Sequence, residues 1–216
     1  MTPVDPDDVA IRAAALRARL RDAGGADVTV VAVTKTFDAG AIDAAVAAGF
    51  TDVGESYAQE TLAKLPDVAS APTLHFIGQL QRNKVRHLAP HIDVWQSVDR
   101  PELATEIAKR APGARIMLQV DISGEDTKGG VDTADLDALL AHAADLGLDV
   151  VGLMGVAILA EPEAARPGFR RLRSLVDTHG LEHCCMGMTA DLEIAVQEGS
   201  TMIRVGTQLF GERARR

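Results

Sequence analysis

Eight short apolar runs alternate with stretches of helical periodicity from Val28 to the end of this 216-residue chain, and that alternation leaves few folds open. The runs are Val28–Thr34, Asp52–Glu55, Leu74–Gly78, Ile92–Val98, Ala114–Ile122, Asp149–Ala157, Glu182–Met188 and Thr201–Val205. Helix-start signals stand between them: Pro101 after Asp99, Thr133 and Asp135 before Leu136, and Thr189 with Asp191 and Glu193 before Ile194. Gly49, Gly147, Gly180 and Gly199 sit where helices should end. A nearly continuous apolar run such as Val28–Val33 suits a strand covered on both faces, as in a parallel sheet. The pattern therefore predicts an α/β protein, a single-domain (β/α)8 TIM barrel over residues 1–216, with a doubly wound open sheet as the alternative. An extra N-terminal helix, from about Asp7 to Asp22, places Val9, Ala13, Leu16 and Leu20 on one face.

Composition narrows the function. Hydrophobic residues make up 47% of the chain, enough for one well-buried core, and no low-complexity tract or linker divides it. A net charge of −9 argues against nucleic acid as a partner; the local basic run Arg82–His87 reads as a solvated helix face. No apolar stretch nears the roughly 20 residues needed to span a bilayer, and the N-terminus is acidic where a signal peptide would be basic. The expected location is cytoplasmic, with no membrane partner. Cys184 and Cys185 are adjacent in an apolar run, so they read as reduced core thiols. His87 and His91 have helical metal-pair spacing, but Pro90 lies between them, and no metal site is predicted.

Lys35 stands at the tip of the first run. Alternation puts Val31, Val33 and Lys35 on one face, so if the valines fill the barrel interior the lysine points into its mouth. A lysine at a strand tip is ordinarily solvated, but a partly desolvated amine can have its pKa lowered, and the neutral amine is what attacks an aldehyde. At the eighth run Met202 and Arg204 take the inward positions, and Gly206-Thr207 opens the last helix. Thr189 repeats that arrangement after the seventh run. Barrels commonly bind phosphate after strands seven and eight, so Thr189, Gly206 and Thr207 are candidates to receive one, with ordinary helix caps as the alternative.

Six strings carry a resemblance: VAVTKTF (Val31–Phe37), VGESYAQE (Val53–Glu60), HFIGQLQRNK (His75–Lys84), VDISGEDTKGG (Val120–Gly130), MGMTADLEIAV (Met186–Val196) and GSTMIRVGTQLFGER (Gly199–Arg213). In this order they resemble the pyridoxal phosphate homeostasis protein family. The resemblance runs from about residue 28 to the C-terminus. It implies a barrel similar to the alanine racemase N-terminal domain, a fold-type III protein for pyridoxal 5'-phosphate (PLP), with Lys35 as the Schiff-base lysine. It also implies phosphate contacts from Thr189, Gly206 and Thr207, and Arg204 facing the pyridine ring. Ser56 stands where the family commonly has Asn and reaches less far toward the cofactor; Thr189 stands for Ser and keeps the hydroxyl. Members are thought to bind, buffer or hand on PLP without an established catalytic activity, with apo PLP-dependent enzymes as recipients.

Arg204 beside the pyridine nitrogen would discourage its protonation and weaken PLP as an electron sink. Read from the residues alone, the same arginine can instead be salt-bridged to Glu55 or Asp121. His75 reads as a satisfied core histidine, Tyr57 as a cofactor cover or a helix cap, and Asp121, Glu125 and Lys128 as a charged surface loop. The alternative function is a fold-type III amino-acid racemase. That reaction needs a base on each face of the cofactor, and the similar racemase takes its second base through an additional β-domain and a partner subunit. The chain ends at Arg216 as its barrel closes, so the expectation is a monomeric PLP-binding protein with no catalytic residues.

Overall fold

A computed structural model of the protein describes residues 1–124, 129–158 and 161–212. Its strands are β1 (Thr29–Val33), β2 (Asp52–Glu55), β3 (Thr73–Phe76), β4 (Val94–Val98), β5 (Arg115–Val120), β6 (Asp149–Gly155), β7 (His183–Cys185) and β8 (Met202–Val205). All pair in parallel in chain order, and β8 pairs with β1 to close the barrel. The open-sheet alternative is therefore excluded. β7 is the shortest strand, three residues where seven were predicted. Gly187 has φ of 97°, which ends the extended chain, and a Cβ there would lie 2.5 Å from that of Ala195.

The helices are α1 (Pro6–Asp22), α2 (Ala39–Ala47), α3 (Ala58–Lys64), α4 (Arg82–Leu88), α5 (Pro101–Arg110), α6 (Leu136–Asp145), α7 (Arg166–Thr178), α8 (Leu192–Gln197) and α9 (Thr207–Phe210). Gly49, Gly147, Gly180 and Gly199 all take the left-handed conformation that follows a helix. Pro162–Ala165 forms a 3-10 turn, and α7 starts at Arg166; residues 159 and 160 lie outside the described residues.

Two cores result from the period-2 alternation. Val31, Val94, Met117, Val151, Met154, Cys185 and Met202 fill the barrel, while Val30, Ala32, Val53, Ile203 and Val205 face the helices. The leading helix α1 starts at the Asp5 cap, whose carboxylate accepts the Asp7 N–H at 2.9 Å. It buries Val9, Ala13, Leu16 and Leu20 as predicted, each large aliphatic contributing about 1.5–3 kcal/mol. α1 packs on α2, α8 and α9, and so covers the flank that the four-residue α9 is too short to cover.

Candidate functional site

Strand register places the predicted residues on one rim. Val33 pairs with Gly54 of β2, and on its other side a Cβ on Gly206 would come 3.2 Å from the Val33 carbonyl. Lys35 and Ser56 each lie two residues past that Val33–Gly54 pair, on adjacent strand ends. The Arg204 N–H donates to the Gly187 carbonyl at 3.0 Å, so Thr189 and Gly206 each lie two residues past that bond. The C-terminal ends of β1, β2, β7 and β8 thus gather Lys35, Ser56, Thr189, Gly206 and Thr207, with Arg204 one layer below. Lys35 is half-buried and Ser56 buried.

Thr207 opens α9 with Gly206 at its cap, as expected. Thr189 differs: it lies in a turn, and α8 begins only at Leu192. The cause is Asp191, whose carboxylate reaches back to the Met188 N–H at 2.6 Å instead of capping α8. Burial pushes the Asp191 carboxyl above the usual carboxylate range, against the Met188 N–H and the nearby Arg204 guanidinium, which lower it. The hydroxyls of Thr189 and Thr207 make no hydrogen bond to another described residue. Arg19 of α1 ties this part of the rim together. It donates to both Glu193 oxygens at 2.8 Å, to Gln208 at 2.5 Å and to the Thr189 carbonyl at 3.3 Å.

Arg204 is buried, and its partners correct one expectation. It bridges neither Glu55 nor Asp121. Nη1 donates to the Cys185 carbonyl at 3.1 Å and to the Cys185 sulfur at 2.9 Å, and Nη2 donates to the Gly155 carbonyl at 2.8 Å. Glu55 faces the other side of the sheet, against Lys64. The Asp121 carboxylate instead accepts the N–H groups of Ser123 and Gly124 at 3.0 Å. Both cysteines are free and buried, as predicted; burial pushes the Cys184 thiol up to about 12 and the Cys185 thiol up as well.

His75 is the satisfied core histidine expected, between the Asp52 carboxylate at 2.9 Å and the Gln96 amide at 2.8 Å. Tyr57 is half-exposed at the cap position of α3, without a side-chain cap bond. It lines a cleft of about 420 Å³ with Ser56, Gln79, Lys84 and Arg100, on the β2–β4 side of the rim; Lys35 and Gly206 do not line it. A second cleft of about 370 Å³ lies under Arg17 and Phe50 at the opposite end of the barrel, away from these groups. Glu125 and Lys128 lie outside the described residues. Among the described residues no cluster of His, Cys, Asp or Glu is placed to hold a metal, and no helix is long and apolar enough to cross a membrane.

Sequence reasoning missed Arg19, Glu60 and Lys64. Glu60 and Lys64 have i,i+4 spacing, which ordinarily marks a solvated surface pair. The signal available was their position directly after the β2 end, on the helix that must pack beside Lys35.

The rim suits PLP in its donor set: an amine at a strand tip, hydroxyls and a glycine backbone beside it, and a fixed guanidinium below. Fold and rim together define a single-domain barrel of the alanine racemase N-terminal type. The model of that family, described as "Alanine racemase, N-terminal domain", matches residues 4–214. Within it, the chain belongs to the pyridoxal phosphate homeostasis protein family. It is 41% identical to the protein of that name from Pseudomonas aeruginosa, over 96% of this chain and 95% of that one. It is 34% identical to the Escherichia coli K12 protein of that name, over 87% and 86%. Among solved structures, PipY of Synechococcus elongatus with PLP bound superposes with a TM-score of 0.82 at 35% identity, covering 94% of this chain and all of that one. Alanine racemase from Corynebacterium glutamicum shares the fold at a TM-score of 0.77 and 19% identity, and this chain spans 61% of it.

Proposed function

We propose that this protein is a PLP-binding protein of vitamin B6 homeostasis that holds the cofactor as a Schiff base on Lys35. The Lys35 amine adds to the cofactor's aldehyde carbon and water leaves. Thr189, Gly206 and Thr207 receive the phosphate through hydroxyl and backbone N–H groups, Arg204 faces the ring nitrogen, and Ser56 flanks the ring from β2. The observation that carries this reading is the register at β1, which sets Lys35 between the ends of β2 and β8 above an interior arginine already held by three hydrogen bonds. The names of the relatives and the PLP in PipY support the same ligand.

In this reading the protein is a cytoplasmic monomer that stores PLP and releases it to apo-enzymes, because a Schiff base is reversible by hydrolysis. It is not a racemase: Arg204 disfavours protonation of the ring nitrogen and so limits carbanion stabilisation. Borohydride reduction followed by peptide mapping tests the site. The pyridoxyl label is expected on Lys35 and absent from Lys35→Ala; a label on Lys84 or Lys128 refutes the assignment. Assays of alanine and serine for enantiomer exchange test the activity. Turnover on the order of 1 s⁻¹ or faster that vanished with Lys35→Ala would make the protein a racemase.

A further inference from the structure

Behind Lys35, between the barrel and α3, lies a charged network that the reading above does not use. The Glu55 and Lys64 side chains have no solvent exposure and meet at 2.8 Å, and Glu60 stands 3.3 Å from the same amine. Lys64 Nζ also donates to the Thr34 carbonyl at 2.9 Å, and the Thr34 hydroxyl donates to Glu55 at 2.6 Å. The Thr36 N–H donates to the Glu60 carboxylate. The residues on either side of Lys35 are therefore each gripped by an ionic side chain.

The segment so gripped is a tight turn. The Phe37 N–H donates to the Thr34 carbonyl at 3.2 Å, with Lys35 and Thr36 as the central residues. Thr36 has φ of 73°, and it is the one non-glycine residue at positive φ among the described residues. At the third position of such a turn glycine is usual, and a β-branched residue there is strained. Burying three ions is costly as well, and a barrel closes without them. Glycine at residue 36 would make the turn at no steric cost but would leave Lys35 on a pivot. Threonine held by the network gives a turn with one conformation.

We propose that the Lys64–Glu55–Glu60 network is a positioning device for Lys35, holding the Thr34–Phe37 turn in the conformation that aims the amine into the barrel mouth. This rests on the reading that Lys35 carries PLP. The network touches the turn at the Thr34 carbonyl and hydroxyl and at the Thr36 N–H, so its residues act through Lys35.

Glu60→Ala, Glu60→Gln and the double variant Glu55→Gln/Lys64→Met test it, with PLP titration, visible circular dichroism of the bound cofactor and thermal melts. Glu60→Ala and the double variant should weaken PLP binding about tenfold, the order that one strained residue's energy corresponds to. They should also diminish the visible circular dichroism, which reports a rigidly held ring and which a loss of global stability alone would not change. Glu60→Gln keeps an acceptor for the Thr36 N–H and should restore most of both. If the double variant fails to fold, Glu60→Ala decides, because it leaves the Glu55–Lys64 pair intact. Affinity and circular dichroism equal to the parent's in Glu60→Ala would overturn the inference. Lys35→Ala separates the two levels: if it keeps a borohydride-stable label the Lys35 reading itself falls, and if it loses the label while Glu60→Ala behaves as the parent, only the positioning role falls.

Discussion

The Arg204 guanidinium donates to the Cys185 thiol across 2.9 Å inside the barrel mouth. The thiol passes its own hydrogen to Gln96 Oε1 at 3.3 Å, the Gln96 amide reaches His75 Nδ1 at 2.8 Å, and His75 Nε2 meets Asp52 at 2.9 Å. With His75 carrying its hydrogen on Nε2, every donor in the series points the same way, from the proposed cofactor face down to the barrel floor. Arg204 is thus held directly by a thiol and two backbone carbonyls, with the first carboxylate of the series at its far end.

Cys185→Ala should loosen that arginine. The variant leaves Gln96 Oε1 without its donor and Nη1 with the Cys185 carbonyl alone. A loss of about 1–2 kcal/mol in urea denaturation is expected, with weaker PLP binding by titration. Cys185→Ser retains a donor and acceptor and should recover part of both; equal behaviour of Ala and Ser would show that packing alone matters there.

Arg19 predicts a different balance. Its forked contacts to Glu193, Gln208 and the Thr189 carbonyl hold α8, α9 and the β7 turn together from a partly exposed site. Arg19→Lys keeps the charge but cannot reproduce the fork, so PLP affinity should fall several-fold while stability changes by less than about 1 kcal/mol. A Lys variant with parental affinity would show that the fork is dispensable.

Gly206 ties the proposed phosphate site to the packing of β1. A Cβ there meets the Val33 carbonyl at 3.2 Å and the Val33 Cβ at 3.4 Å, so the added atom points at β1 directly under Lys35. Gly206→Val should weaken PLP binding with the barrel still folded, and Gly206→Ala should do so less. Pyridoxal, lacking the phosphate, should bind the parent much more weakly than PLP does. Equal affinities for the two ligands, measured by titration, would rule out a phosphate site at Thr189, Gly206 and Thr207.

Acid stability should depend on Asp52. Burial raises its carboxyl, but hydrogen bonds from His75 and Thr51 outweigh this and hold it below the usual carboxylate range. A carboxyl lowered in the folded state stabilises fully above its unfolded pKa, and that stability is lost as pH falls through the folded value. Asp52→Asn should therefore flatten the decline in unfolding free energy below about pH 4. Glu55 and Asp191 act oppositely, since burial raises them: each favours the folded state less as pH rises from its unfolded to its folded value. Asp191→Asn should remove part of that slope, as read by denaturation across the same pH series.

The local patterns of this chain determined a great deal. Period-2 runs and helical stretches announced eight parallel strands with covering helices, because alternation along a strand depends only on neighbouring residues. The same alternation assigned Val31 to the barrel interior and Met202 and Arg204 beside it, and the glycines at helix ends marked their boundaries. The apolar stripe of α1 was equally legible, since 3.6-residue periodicity is local too.

What stayed hidden were the partners. Glu60 and Lys64 look in sequence like a surface pair, and only the packing of α3 beside the ends of β1 and β2 turns them into a buried clamp on Thr34 and Thr36. The ligands of Arg204 are a thiol and two carbonyls from β6 and β7, the Thr189 turn is set by Asp191, and Arg19 braces residues more than a hundred positions away. The Arg19 brace depends on closure of β8 onto β1, which sets α1 against α8 and α9. Closure brings distant chain segments within hydrogen-bond reach, and in a water-poor interior every polar group must then find whichever partner the packing supplies.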